Sequence, residues 1–467
     1  MANVEELTED KKADGDALDE LYGLSKDVVV AIEDALEKGE NETVHALLEP
    51  LHAADIADLL EQLTSGQRES LIAVIGDNLD SEVISYLDYA VREDVVDILN
   101  AEQIATIVSD LDSDDAIDFI EDLDEHEQRE VLRTIPEEER ALYEQSLTYP
   151  DDSAGRLMRH EVVTVPLHWT VGDTIDYMRS EESDLPDDFY NIVAVGPSLA
   201  PVGLLQLSKL LRTRRPTPVS DVMEADPKLI PVTMDQEDVA FLFRQYGLVE
   251  APVVDEDGRM VGVITVDDIV NVLDEEHEED ILKLGGVQAD DFYSDVRKTT
   301  RLRFSWLLVN LLTAILASAV IAMFESTLER IVALAILMPI VASMGGNAGT
   351  QTLTVAVRAL ATNELTAGNA MRIIYKEVLV GGVNGILFAL LIGGLAWAWF
   401  ADPMIGLVIA SAMIINLLVA GLTGTLVPIA LDRIGIDPAI ASTVVLTTVT
   451  DVVGFFAFLG LAAMILL

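Results

Sequence analysis

A carboxylate, two amides and a cluster of small residues lie inside segments that are otherwise apolar. Met344-Gly-Gly-Asn-Ala-Gly-Thr-Gln351 interrupts one apolar run, and Thr447-Thr-Val-Thr-Asp451 sits in the middle of another. Hydrocarbon offers no hydrogen-bond partner, so such groups persist there only where they face protein or water. A charged carboxylate at the centre of a bilayer costs about 2.5–3.5 kcal/mol on insertion scales and marks a functional position by default. Thr447 and Thr448 precede Asp451 by four and three residues and share its helix face. Asn347, flanked by Gly345 and Gly346, and Asn416 in a further apolar run add amide and carbonyl oxygens. Together these groups read as the lining of an ion path. A packing alternative accompanies each: Gly345 and Gly349, four apart, also suit a close helix crossing, and Asp451 could serve as a helix-to-helix hydrogen-bonding acid.

The donors are hard oxygens, with no cysteine in the chain and no cluster of histidines. That suits Mg²⁺ or Ca²⁺ rather than Zn²⁺ or Cu⁺. One carboxylate per chain is too few for a dedicated cage. Two copies of Asp451 on the axis of a symmetric dimer would instead hold a largely hydrated ion, which is how Mg²⁺ prefers to be held.

Apolar segments at 302–323, 331–357, 378–400, 404–431 and 439–467 each reach the ~20 residues that cross a bilayer. Five crossings put the two ends on opposite sides. Lys298, Arg301, Arg303, Arg358, Arg372, Lys376 and Arg433 all fall on one side, leaving only Arg330 on the other. The basic side is cytoplasmic by rule, which places the large N-terminal region inside and the C-terminus outside a plasma membrane.

The net charge of -52 is concentrated ahead of these segments. Residues 301–467 hold eight acids and seven bases, leaving 73 of the 81 acids and 22 of the 29 bases to the first 300 residues. Such acidity argues against nucleic acid or anionic lipid as partners of the soluble part and for divalent cations. Scarce lysine among pervasive acids resembles the salt-adapted surface of a halophile, which is read as the main source of the charge, so an acidic cluster alone says little about a metal site. Without cysteine there are no disulfides or thiolate ligands. The acidic start Met1-Ala-Asn-Val-Glu-Glu lacks the apolar stretch of a cleaved leader.

The soluble part divides by grammar. Residues 1–22 are acidic and aperiodic and read as mobile. In 23–149 apolar residues recur at helical spacing, as in Leu51, Ile56, Leu59, Leu60 and Leu63, with short breaks between runs, which predicts helical hairpins stacked as a superhelix. Residues 150–216 and 217–274 each read β-α-β-β-α, with a hairpin turn at Asp255-Glu-Asp-Gly258. A charged connecting helix, 275–300, leads to the membrane part, 301–467. The tandem α/β units resemble a pair of CBS domains. In nucleotide-binding members a run like Gly262-Val-Ile-Thr265-Val-Asp-Asp268 places its Asp on the ribose, which makes Thr265 and Asp268 candidate nucleotide contacts and ATP a candidate ligand. A helix N-cap at Thr265 or Asp267 explains the same residues without a ligand.

The order of these parts and the two membrane motifs resemble the MgtE family of magnesium channels over roughly residues 25–467. The resemblance implies a homodimer in the bilayer that passes Mg²⁺ passively through a pore between subunits. Asp451 would recruit the hydrated ion, with Asn347 and Asn416 as pore-side polar groups and the connecting helix as a plug. It further implies that cytosolic Mg²⁺ bridges acids of the helical, CBS and plug elements and holds the channel shut. The matching acids are Glu82, Asp114, Asp235, Glu237, Asp268, Glu276, Glu279 and Asp280. Asn271 and Gly247 depart from the family's pattern, which often carries Asp there. Two other readings fit: a carrier coupling a divalent cation to H⁺ or Na⁺ through Asp451, and a membrane-anchored CBS nucleotide sensor. An intramembrane aspartyl enzyme would need a second carboxylate at depth, and Asp432 and Asp437 lie at the membrane edge, so no enzymatic activity is expected.

Overall fold

The computed structural model describes residues 24–180, 185–186, 189–287, 296–366 and 368–467. They form two compact units, Met1–Asp274 and Glu275–Leu467. The 1–22 segment lies outside the described residues, as does 288–295 of the connecting stretch.

The first unit begins with short amphipathic helices. Ser25 caps Lys26–Lys38, and Gly39 ends it in the left-handed region at φ 69°. Asn100 caps Ala101–Asp110 by accepting from the Glu102 and Gln103 amides. A helix this short can bury its apolar stripe only by stacking on its neighbours. Ile32, Leu60, Leu71, Ile84, Ile117 and Phe119 accordingly share one continuous core. Arg92, itself buried, ties two of these helices by donating to Asp118 at 2.6 Å and Asp122 at 2.8 Å.

The α/β part is an internal duplication visible in its hydrogen bonds. β1 (Thr164–Pro166), β2 (Asn191–Val195), β3 (Pro201–Gln206) and β4 (Glu224–Ala225) form one sheet in that order. β5 (Ile230–Pro231), β6 (Glu250–Val254) and β7 (Met260–Thr265) form the other. In each, a parallel pair is followed by an antiparallel one, β1–β2–β3 and β5–β6–β7. The register shifts at the same place in both, between Ala194 and Val195 and between Val253 and Val254. Val193, Val195 and Val263 join the copies in a small apolar cluster. Buried Glu250 crosses the same boundary, accepting from the Tyr190 and Asn191 amides at 3.3 and 2.8 Å. Asp235 caps the helix Gln236–Tyr246, and Gly247 ends it at φ 62°. That backbone explains why glycine rather than an acid stands at position 247.

One helix, Val266–Gly285, carries both the end of the second copy and the start of the charged stretch. No proline or glycine interrupts it before Gly285, so nothing in the sequence stops it sooner.

In the second unit, five helices among the described residues are long and apolar enough to cross a membrane. They are Val296–Ala322, Val332–Ala361, Ala370–Phe400, Pro403–Arg433 and Pro438–Ile465, called here the first to fifth spans. Pro403 and Pro438 follow the caps Asp402 and Asp437, the place where a helix start tolerates proline best. The fourth span is the hub: 56% of its apolar window is buried, against 6% for the first span. The third span starts at Ala370, so Arg372, Lys376 and Glu377 ride on its first turns.

Candidate ion path and its cytosolic acids

The motif in the second span separates into two faces. Gly345 and Gly349 are buried, whereas Ser343, Asn347, Thr350, Gln351 and Thr354 are exposed on the surface of the unit. The exposed set follows i, i+4, i+7, i+8, i+11, one stripe of a helix. Packing and polarity, offered by the sequence as alternatives, are therefore both present on opposite faces. Along the stripe Asn347 donates to Ser343 Oγ at 3.3 Å, and Thr350 and Thr354 donate back to the Gly346 and Thr350 carbonyls. These are local bonds that leave amide and hydroxyl acceptors facing outward.

On the fifth span Asp451 is half-buried and makes no hydrogen bond or ion pair among the described residues. Thr447 and Thr448 beside it turn their hydroxyl protons to their own helix, to the Thr443 and Val444 carbonyls. Their oxygens remain as acceptors.

Asn416 occupies a different environment. It is fully buried, and its Nδ2 donates to the Val341 carbonyl of the second span at 2.8 Å. A Cβ on Gly345 would lie 2.2 Å from that nitrogen, and one on Gly454 of the fifth span 2.8 Å from it. Only glycine permits this approach from both sides.

A second membrane carboxylate escaped the sequence reading. The Glu377 side chain is 12% exposed and accepts from Thr352 Oγ1 at 3.4 Å, with Lys376 beside it at 3.2 Å. Its place, one residue before the predicted third span, made it look like part of a charged boundary.

At the base of the fifth span the connecting helix makes three contacts. Leu284 packs with Leu353, Val357, Ala439 and Leu446. Its carbonyl accepts from Thr443 Oγ1 at 3.2 Å. Lys283 pairs with Glu279 and reaches Asp437 Oδ2 at 2.7 Å. Half-buried Asp280 beside them is pushed above the usual carboxylate range by burial and by the charge of Asp437.

In the first unit the structure brings Asp114 and Asp268, 154 positions apart in the chain, close enough to interact, and an arginine lies with them. Arg159 donates to Asp114 at 3.2 Å and pairs with Asp112 at 3.0 Å. Its backbone bridges Val263 in both directions, at 2.7 and 2.9 Å. A Cβ on Gly262 would lie 2.7 Å from the Arg159 carbonyl oxygen, so the glycine of the Gly262–Asp268 run is covered by the chain itself. Asp268 accepts from Thr265 Oγ1 at 2.6 Å and from the Thr265 amide at 3.3 Å, the reciprocal half of a helix cap. Burial and then the charge of Asp114 push the Asp268 carboxyl up to about 8. Burial and Asp114 likewise push Asp115 to about 7. Glu82 stands on this side too: with Asp115 and Asp267 it surrounds Tyr86 closely enough to raise that phenol, after burial.

His160, next to Arg159, joins the same boundary and was not singled out by the sequence. One ring nitrogen lies 2.9 Å from Ser146 Oγ and the other 3.1 Å from the Val261 carbonyl, and its amide donates to Ser113 Oγ at 2.8 Å. Asp235 and Glu237 are exposed at the start of their helix, where Asp235 accepts the Glu237 amide. Glu276, Glu279 and Asp280 belong to the second unit. Among the described residues no three acids or histidines converge tightly enough to hold a metal ion.

Three family models match the chain. One described as a divalent cation transporter, MgtE, covers residues 338–461; the MgtE intracellular N domain covers 51–152; a CBS domain covers 219–275. The magnesium transporter MgtE of Thermus thermophilus is 33% identical over 449 residues, covering 95% of this chain and 99% of that protein. The magnesium transporter MgtE of Bacillus subtilis is 32% identical over 317 residues, 68% of this chain and 70% of that one. Among solved structures, the cytosolic domain of the Mg²⁺ channel MgtE in complex with ATP is 28% identical and covers 52% of this chain and 99% of its own, with a TM-score of 0.48.

Proposed function

The chain belongs to the MgtE family of divalent cation transporters, and on that premise we propose that it is a homodimeric Mg²⁺ channel whose path lies between the subunits. The observation that carries this reading is the polar stripe of the second span. Asn347, Thr350 and Gln351 are exposed on a helix long enough to cross the bilayer. Polar side chains at that depth are not left against lipid, so water or a second subunit covers them. Asp451, carrying no partner among the described residues, supplies the charge. Two copies across a dimer axis hold a hydrated Mg²⁺ through its water shell, with Thr447, Thr448 and backbone oxygens as further acceptors. No dehydrated cage is needed.

Gating follows from the acids. The connecting helix ends against the base of the fifth span, so its position sets access to the path. On this reading cytosolic Mg²⁺, taken up by Glu82, Asp114 and Asp268 of the first unit and by Glu279 and Asp280 of the second, offsets the repulsion between carboxylates and so populates the closed state. Asp235, Glu237 and Glu276 are further positions where the ion bridges elements. The N-terminal region is cytosolic, the membrane is the plasma membrane and the C-terminus faces outward. ATP at the CBS pair would have to use groups other than Asp268, whose carboxylate is engaged in its own helix cap and faces Asp114.

The test is Mg²⁺ influx into proteoliposomes for wild type and Asp451→Ala. Loss of flux in the variant, and suppression of wild-type flux by Mg²⁺ on the side of the large domains, is the expected result. Undiminished flux in the variant would overturn the role of Asp451. Strict dependence of wild-type flux on an H⁺ or Na⁺ gradient would replace the channel by a coupled carrier.

A further inference from the structure

Asn416 is the one fully buried amide in the described membrane unit, and stability alone does not call for it. Its Oδ1 has no hydrogen-bond partner among the described residues, and an unmade buried acceptor is a cost that an apolar side chain of similar size would avoid. What the amide does have is position. It donates to Val341 one turn before Gly345, and it lies against both Gly345 and Gly454. Gly345 is two residues before Asn347, and Gly454 is three residues after Asp451. The helix bearing the outward polar stripe and the helix bearing the carboxylate are thus both pressed onto the fourth span at this one side chain.

We propose that Asn416 is a positioning residue for the ion path: it sets the separation and register of the second and fifth spans, and through them the placement of Asn347 relative to Asp451. The Nδ2 bond to a single carbonyl fixes the axial register of the second span, which a smooth apolar contact does not. The short side chain fixes how near the two glycines come. Asn416 itself touches no ion. This rests on the reading of Asp451 and Asn347 as path residues and adds what holds them in register.

The experiment measures Mg²⁺ flux against Mg²⁺ concentration in proteoliposomes for wild type, Asn416→Ala, Gly345→Ala and the double variant. It also measures the melting temperature of each purified full-length protein with and without Mg²⁺. Asn416→Ala should raise the half-saturating Mg²⁺ by about three- to tenfold, the range set by one lost hydrogen bond. Gly345→Ala drives a methyl into the amide and should abolish flux, and adding Asn416→Ala should recover it in large part. A merely structural side chain would lower yield and melting temperature while leaving half-saturation unchanged, and would overturn the proposal. So would failure of Asn416→Ala to rescue Gly345→Ala. If wild type carries no flux, the channel reading fails by itself. Positioning is then decided by whether Asn416→Ala weakens the Mg²⁺-induced rise in melting temperature that Asp451→Asn abolishes; an unchanged rise overturns it.

Discussion

Asp114 in the first unit pairs with Arg159, whereas Asp451 in the fifth span has no partner among the described residues. Both acids lie where water is limited. In the first case the chain supplies the cation itself: Arg159 also pairs with Asp112 and lies near enough to Asp268 to favour its charge. Burial works against the guanidinium's charge, but Asp114 and Asp112 outweigh it and hold it charged. In the second case a cation must come from outside. An acid with a resident partner can hold two parts of a fold together; an acid without one can bind a passing ion. A built-in cation ties the first acid into the fold, so that any Mg²⁺ there acts alongside the arginine, whereas the second acid is left wholly to an ion from outside.

The sharpest way to break that contrast is to give Asp451 a resident cation. Thr447→Arg places a guanidinium four residues away on the same helix face. Flux should fall by roughly a hundredfold or more, as when a single preorganised charge is removed from a site, matching Asp451→Ala. Flux near the wild-type level in Thr447→Arg would mean that the free charge of Asp451 is not what draws the ion.

The converse change removes the built-in cation. Arg159→Met leaves Asp114 buried and unpaired, a change that costs about 3–5 kcal/mol when one partner of a buried pair is lost. The melting temperature of the full-length protein should fall, and Mg²⁺ in the millimolar range should restore part of it in the variant more than in wild type. An equal response of the two proteins to Mg²⁺ would show that the arginine does not stand in for an ion there.

Raised carboxyls in the first unit give the contrast a pH dependence. Asp268 titrates at about 8 and Asp115 at about 7 in the folded chain, both well above the ordinary 3.8. Folding therefore holds their protons. The stability this contributes is complete below a pH of about 4 and is lost as the pH climbs through 7 and 8. The melting temperature should drop between pH 6 and pH 8.5, and Asp268→Asn should flatten the drop. A curve that rises over that interval would contradict the burial of these groups.

Much of this was legible along the chain because it is written in local spacing. The helical spacing of 23–149, the Asp255–Gly258 hairpin and the apolar spans follow from residues a few positions apart. The polar stripe of Ser343, Asn347, Thr350 and Gln351 was legible as composition but not as a face. A span that is apolar nearly all round gives periodicity little to distinguish its inside from its outside. For the same reason Asn347 and Asn416 look alike in sequence, and only packing separates the exposed one from the buried one. Arg159 and Asp114 are 45 residues apart, and His160 meets Val261 across 101. No local pattern announces such pairs. Glu377 was hidden by its neighbour Lys376, since an adjacent acid and base read as the solvated end of a span.

Lys283 provides an intermediate case between the two regions. It is a built-in cation like Arg159, but its side chain is 25% exposed and its partners Glu279 and Asp437 are 48% and 30% exposed. Partly solvated pairs of this kind contribute little, about 0.2–1 kcal/mol. Leu284 packs through its own side chain and accepts from Thr443 through its backbone carbonyl, and neither contact uses the lysine side chain. Lys283→Met should therefore leave the connecting helix in place at high Mg²⁺ and loosen it slightly at low Mg²⁺. The Mg²⁺ concentration that half-closes the channel should rise by no more than about fivefold, and the shift should shrink in molar salt as the pair is screened. A variant that no longer closes at any Mg²⁺ concentration would show that this ammonium, rather than the ion, holds the helix end against the fifth span.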